Sequence, residues 1–98
     1  MIDFEKIEGF DWDAGNARKN EKHGVTQAEA EQVFFNEPLL LLADEKHSDR
    51  ESRHHAYGQT NEGRLLHITF TTRLNGSKLR VISARAMSAR ERRLYEKA

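Results

Sequence analysis

Apolar positions along the chain change period near residue 39. Before that point they recur at helical spacing. Thr26-Gln27-Ala28-Glu29 matches a capping box, in which a Thr side chain and a Glu three residues on satisfy each other's backbone N–H. Ala30, Val33 and Phe34 then supply one apolar face, and Pro38 must end the helix. Ahead of it, Asp13 is placed to cap a helix over residues 13–23, with Gly24 at the left-handed position after its end. From Leu39 onward the runs are strand-like: residues 39–43, 53–58, 65–72 and 78–84. They follow one another closely enough for an antiparallel meander. Ser88-Ala89-Arg90-Glu91 repeats the capping-box pattern and opens a last helix whose apolar content is little more than Leu94 and Tyr95. The pattern predicts an α+β fold, with helices packed on one antiparallel sheet of about four strands and a C-terminal helix.

Turn chemistry extends the reading to register. Asn75-Gly76 suits a type I′ hairpin, whose central positions both need positive φ. A two-residue loop there pairs Leu74 with Ser77. Phe70 then lies opposite Val81, Thr71 opposite Arg80, and Ile68 opposite Ser83. Leu66, Ile68, Phe70, Leu79 and Val81 become the core side, leaving His67, Thr69, Thr71, Arg73 and Arg80 on the other. A five-residue loop over 59–63 would set Arg53 opposite Thr69 and His55 opposite His67, whereas a four-residue loop would invert that strand. With five, one sheet face carries Arg53, His55, His67, Arg73 and Arg80, a cationic groove suited to a polyanion.

Composition narrows the classes. At 98 residues with 37% apolar and 33% charged positions, the chain fits one domain spanning residues 1–98 with one modest core. The longest uncharged apolar run falls far short of the roughly 20 residues a membrane helix needs. The N-terminal stretch carries acids where a signal peptide carries bases, so the expected location is the cytoplasm. The chain has no cysteine, which excludes disulfides, thiolate metal sites and thiol nucleophiles. The formal net charge of zero hides a split: residues 1–49 hold twelve acids and five bases, net −7, and residues 50–98 hold four acids and eleven bases, net +7. Nine of those eleven bases are arginine, whose planar fork grips phosphate and carboxylate with two bonds at once. Two readings remain open here: an anionic partner, or acidic helices pairing with a basic sheet.

Ordered short motifs then bring in a resemblance. Phe10-Asp11-Trp12-Asp13, Asn20 with Lys22-His23-Gly24-Val25, Ala28-Glu29-Ala30 with Val33-Phe34, and Pro38 are followed by His47-Ser48, Glu51, Arg53, Gly58 and Gly63-Arg64. Thr71 with Arg73, the run from Arg80 to Ala86, and Arg90-Glu91-Arg92 with Tyr95 complete the set. Together they resemble BrnT-type toxins of type II toxin–antitoxin systems over nearly the whole chain. Asn16 departs from the lysine common there, and His54-His55 occupy a strand position usually apolar. The resemblance implies a RelE/ParE-like toxin fold and a ribonuclease that arrests translation and growth. It also implies a BrnA-like ribbon-helix-helix antitoxin, with operator DNA engaged only through that antitoxin.

Such a nuclease needs particular chemistry. A metal-free cut uses the RNA 2′-hydroxyl as nucleophile, so the protein must take a proton, stabilise negative charge and protonate a leaving oxygen. Glu51, His47 and His55 are candidates for the base, and Arg53, Arg80 and Arg85 for charge stabilisation. Lys22, Arg64 and Arg73 would hold flanking phosphates. No cofactor is expected. No metal is expected either, because the scattered histidines lack a helical ligand spacing and neighbouring strand residues face opposite ways. Structural roles compete for several of these: an Arg53–Glu51 ion pair, Arg85 anchoring the last helix, His23 at a helix C-terminus, and Trp12 in the core. A non-catalytic module whose basic half docks an acidic antitoxin is the alternative function.

Overall fold

A computed structural model describes residues 3–13, 15, 18, 23–44, 46 and 52–98. Five strands form one sheet: β1 (Gly9–Phe10), β2 (Leu40–Asp44), β3 (Arg53–Gln59), β4 (Leu65–Arg73) and β5 (Lys78–Ala86). Their spatial order is β1-β5-β4-β3-β2, so β2 to β5 make the expected antiparallel meander. The additional strand is β1, a two-residue piece that pairs parallel to β5 through Gly9↔Lys78 and Phe10↔Leu79. It is too short to carry a periodicity of its own. Helices α1 (Gln27–Val33) and α2 (Ala89–Glu96) both open with complete capping boxes, Thr26–Glu29 and Ser88–Glu91. Gly15 and Arg18 are helical; the rest of the helix expected over 13–23 lies largely outside the described residues. Among the described residues, no helix is long and apolar enough to cross a membrane.

The core occupies the α1 side of the sheet. Leu66, Ile68, Phe70, Leu79 and Val81 are all buried there with Ala56 and Ala84, as the alternation of β4 and β5 requires. Against them α1 sets Ala30 and Val33, and Phe34 meets Phe70 edge-on at a centroid distance of 5.1 Å. The helix comes very close at Gly58. A Cβ there would stand 2.8 Å from Val33 Cγ1 and 3.2 Å from the Val33 carbonyl oxygen, so glycine is what lets α1 seat on β3. On the other face, α2 lays Tyr95 beside Met87 and Tyr57, and the Tyr95 hydroxyl donates to the Pro38 carbonyl at 2.6 Å.

The register confirms the hairpin near its turn and corrects it farther away. Asn75 and Gly76 both have positive φ, Ser77 N–H donates to the Leu74 carbonyl, and Phe70↔Val81 and Thr71↔Arg80 pair as expected. Leu74 also has positive φ, which ends β4 at Arg73. Beyond Phe70 a bulge intervenes: Thr69 pairs with Ser83, so Ile68 faces Ala84 rather than Ser83, and Ile82 is the extra residue. The β3–β4 loop does have five residues, but they are 60–64. His55 therefore pairs with Thr69 and Tyr57 with His67, two positions from the expected register. An even shift leaves every side chain on its expected face. Thr60 holds that loop: its N–H donates to the Arg64 carbonyl at 2.9 Å, and its hydroxyl accepts from the Arg64 N–H at 3.1 Å.

Candidate active site

On the face opposite the main core, β2, β3, β4 and α2 bring four titratable side chains into a line. His55 Nε2 lies 3.0 Å from Asp44 Oδ2. Its Nδ1 lies 2.8 Å from His67 Nε2 and 3.0 Å from Thr69 Oγ1. His67 Nδ1 is 3.0 Å from Glu91 Oε2, within ion-pair distance but outside hydrogen-bond geometry. Register explains the meeting, since Leu42↔His55↔Thr69↔Ser83 and Leu40↔Tyr57↔His67↔Arg85 form two adjacent rows across the sheet. Tyr57 stands edge-on to His67 at 4.7 Å, and His55 does the same at 4.8 Å.

Burial and the neighbouring charges set the protonation of this row. Burial pushes His67 down to about 4; Glu91 opposes that, while Arg85 and His55 reinforce it. Hydrogen bonds from Arg85 hold Glu91 down to about 2, with the Ser88 N–H adding to them against the opposing effect of burial. Tyr57 is raised, chiefly by burial. At neutral pH the row therefore holds a neutral His67 beside an ionised Glu91.

Each expected arginine has a definite place. Arg85 makes a two-bonded fork with Glu91, both bonds 2.8 Å, and so ties β5 to the first turn of α2 while remaining 45% exposed. Arg80 shares the face but is gripped by two carboxylates: Nη1 donates to Asp11 at 3.1 Å and Nη2 donates to Asp13. Arg53 pairs in register with Asp44, next to His55 on the same face, and Arg73 is exposed at the hairpin end opposite Lys78. Arg64 lies apart from them. Its Nη1 donates to the Gly24 carbonyl at 2.6 Å and to Glu29 at 3.0 Å, at the N-terminus of α1 on the core side. Lys22, His47 and Glu51 lie outside the described residues. The structure thus brings together His55, Arg53, Arg80 and Arg85, and separates Arg64 from them.

Four participants were not singled out as site residues from sequence. Asp44 and Tyr57 gave no signal, lying at the ends of apolar runs. His67 was placed on the correct face without a role, and Glu91 was legible only as half of a capping box. Trp12 packs against the core and donates to Glu31 at 2.8 Å, matching its structural reading. Among the described residues, no group of three His, Asp or Glu side chains is arranged to hold a metal ion.

No curated protein sequence matches the chain. A sequence model of the family described as ribonuclease toxin, BrnT, of type II toxin–antitoxin systems matches residues 12–91. That span includes both capping boxes, strands β2 to β5 and every arginine of the polar face. The chain belongs to the BrnT family of ribonuclease toxins of type II toxin–antitoxin systems.

Proposed function

We propose that the chain is an endoribonuclease that cuts RNA without a metal, by attack of a 2′-hydroxyl on its own phosphate, and that His55 is the base. The observation that carries this reading is the Asp44–His55 contact at 3.0 Å on a face that also presents Arg53, Arg80 and Arg85. A carboxylate at Nε2 keeps the proton on that nitrogen, which leaves Nδ1 with the lone pair a base requires. Arg53 and Arg85 would meet the charge that develops on phosphorus-bound oxygen. Arg80 would contribute a phosphate fork by exchanging the carboxylates of Asp11 and Asp13 for the substrate. Glu51 and His47, four residues apart on the segment before β3, are the other candidates for proton transfer. Lys22, Arg64 and Arg73 would hold flanking phosphates, Arg64 by giving up its bonds to Glu29 and Gly24.

Family membership implies an antitoxin partner and an RNA substrate. The partner proposed is a BrnA-like protein with a ribbon-helix-helix domain, which would cover the arginine face and carry the complex to operator DNA. Enzyme and partner would act in the cytoplasm, where RNA and operator both lie. One observation favours the non-catalytic alternative: Arg64 and Arg80 are each already bonded to carboxylates, as basic residues with a scaffolding or docking role would be.

The test is digestion of a ribo-oligonucleotide by the purified chain in excess chelator. Cleavage should give 2′,3′-cyclic phosphate and 5′-hydroxyl ends, and a single 2′-deoxy substitution should abolish the cut at its position. Cleavage that appears only on adding a divalent metal would refute the metal-free mechanism. Absence of cleavage, with antitoxin binding weakened by arginine substitutions, would establish the docking module instead.

A further inference from the structure

We propose that Thr69 is a catalytic residue of this site, the hydroxyl through which the proton of the substrate 2′-hydroxyl reaches His55. The inference rests on the ribonuclease reading above and adds a residue to it. Both ring nitrogens of His55 are already engaged within the row. Nε2 is held by Asp44, and Nδ1 is approached by Thr69 Oγ1 at 3.0 Å and by His67 Nε2 at 2.8 Å. The His67 side chain is only 10% exposed and cannot meet substrate. Thr69 is half-buried at the centre of the sheet, between His55 on β3 and Ser83 on β5, so its hydroxyl is the group that touches Nδ1 from a residue on the polar face that is not fully buried.

A count of protons shows what the row gains from the transfer. Asp44, His55, His67 and Glu91 have three gaps between them, at 3.0, 2.8 and 3.0 Å. Two neutral imidazoles carry two N–H protons, so one gap is always empty. When His55 takes a third proton at Nδ1, that N–H can donate to His67 Nε2. His67 then carries its proton at Nδ1, facing the Glu91 carboxylate, and Asp44 neutralises the imidazolium. Proton acceptance thus puts a proton in every gap, the one between His67 and Glu91 at ion-pair distance rather than in hydrogen-bond geometry. Before the transfer, Thr69 O–H is the donor to Nδ1; after it, His67 is the acceptor. Asp44, His67 and Glu91 are positioning residues in this scheme. The other charged groups around the row are Arg53 on β3 and Arg85 on β5, and Tyr57 closes it at the α2 end.

The step balances without a further reagent. The 2′-oxygen forms its bond to phosphorus as its proton passes to Thr69 Oγ1, and the Thr69 hydroxyl proton passes to His55 Nδ1. The P–O5′ bond breaks, water protonates the departing O5′, and the products are a 2′,3′-cyclic phosphate and a 5′-hydroxyl. The imidazolium returns its proton to solvent through Thr69.

Thr69→Val and Thr69→Ser separate this role from a packing role. Valine keeps the shape and β-branching that a strand favours and removes only the hydroxyl; serine keeps the hydroxyl and loses the methyl. Cleavage rates across pH are measured for both variants and the parent, with thermal melts to establish folding. Thr69→Val should lose roughly 10²-fold or more in kcat, the range of proton-transfer catalysis by one positioned group, with KM little changed. Its residual activity should lose the acid limb of the pH profile. Thr69→Ser should retain most of kcat and that limb. A folded Thr69→Val enzyme with the parental rate and profile would overturn the proposal, as would a Thr69→Ser enzyme that falls as far as valine. A parent that leaves RNA intact would overturn the ribonuclease reading and the relay together, and that result is visible before any variant is compared.

Discussion

Replacing Glu91 by Gln isolates one charge at the junction of β5, β4 and α2. Glutamine can still accept from the Ser88 N–H, so the capping box survives and what is lost is the carboxylate between Arg85 and His67. The size of that loss follows from titration. Glu91 ionises near 2 in the fold, against an ordinary value of 4.5. At 1.36 kcal/mol per pH unit this corresponds to roughly 3 kcal/mol. Its main partner, Arg85, is 45% exposed, so solvent screening brings the figure to about 2 kcal/mol. For a chain this size the melting temperature should fall by roughly 8–16 °C at pH 7.

Acid titration gives the sharper test because two groups act in different windows. A carboxylate with a depressed pKa contributes stability above its unfolded value and loses it as pH falls from 4.5 toward 2. His67 is a base with a depressed pKa, neutral in the fold until about 4, while the unfolded chain takes up a proton below 6.5. The unfolded state then binds more protons between those values, so His67 also makes stability fall as pH drops, two pH units earlier. His54, pushed down by burial, adds in the same direction. Urea or thermal melts at fixed ionic strength from pH 7.5 to 3 should show both losses in the parent. Glu91→Gln should keep the first, deepened because Glu91 opposes the burial of His67, and lack the second. A variant that melts within about 2 °C of the parent at pH 7, or loses stability as steeply below pH 4.5, would refute the electrostatic account.

Glu29→Ala removes the N3 member of the other capping box together with its bond to Arg64, and should cost about 1 kcal/mol in urea melts while leaving RNA cleavage by the folded fraction intact. Asp11→Asn with Asp13→Asn removes the carboxylates that hold Arg80, so filter binding should show tighter association with RNA and a steeper salt dependence; unchanged affinity would remove Arg80 from the phosphate-binding set. Induced expression without a partner should arrest bacterial growth with loss of intact RNA, and normal growth at high folded expression would contradict the toxin reading.

What could be read from sequence was whatever is encoded within a few residues. Both capping boxes form because Thr26 and Glu29, and Ser88 and Glu91, lie three apart and find each other without help from the rest of the chain. The pairing of Phe70 with Val81 follows from a turn only a few residues away. Ile68 was assigned the wrong partner because a bulge leaves no mark beyond the adjacent apolar pair Val81-Ile82. The site row was harder still. Asp44, His55, His67 and Glu91 come from four elements, and their contact depends on strand registers that no local pattern fixes. The charge split was visible, but its meaning was not. Asp11 and Asp13 with Arg80, Glu29 with Arg64, and Asp44 with His55 join the acidic half to the basic half, so a large part of the asymmetry is internal pairing.

The extra residue in β5 decides more than one misassigned pair. Residues 80 and 85 are an odd number of positions apart, and in a regular strand their side chains would leave opposite surfaces. The bulge takes Ile82 out of the alternation, so that Arg80 and Arg85 share the polar face while Val81 and Ala84 both enter the core. No substitution at a single position could accomplish this, because changing a side chain does not change which way the next one points. The shared arginine face therefore depends on the bulge within β5 as well as on residue identity. Deleting Ile82 would leave Arg80 and Arg85 four steps apart on one face of a regular strand, whereas pairing Ile82 into the ladder would turn every side chain from Ser83 to Ala86 over at once, exchanging Arg85 for Ala84 on the polar face.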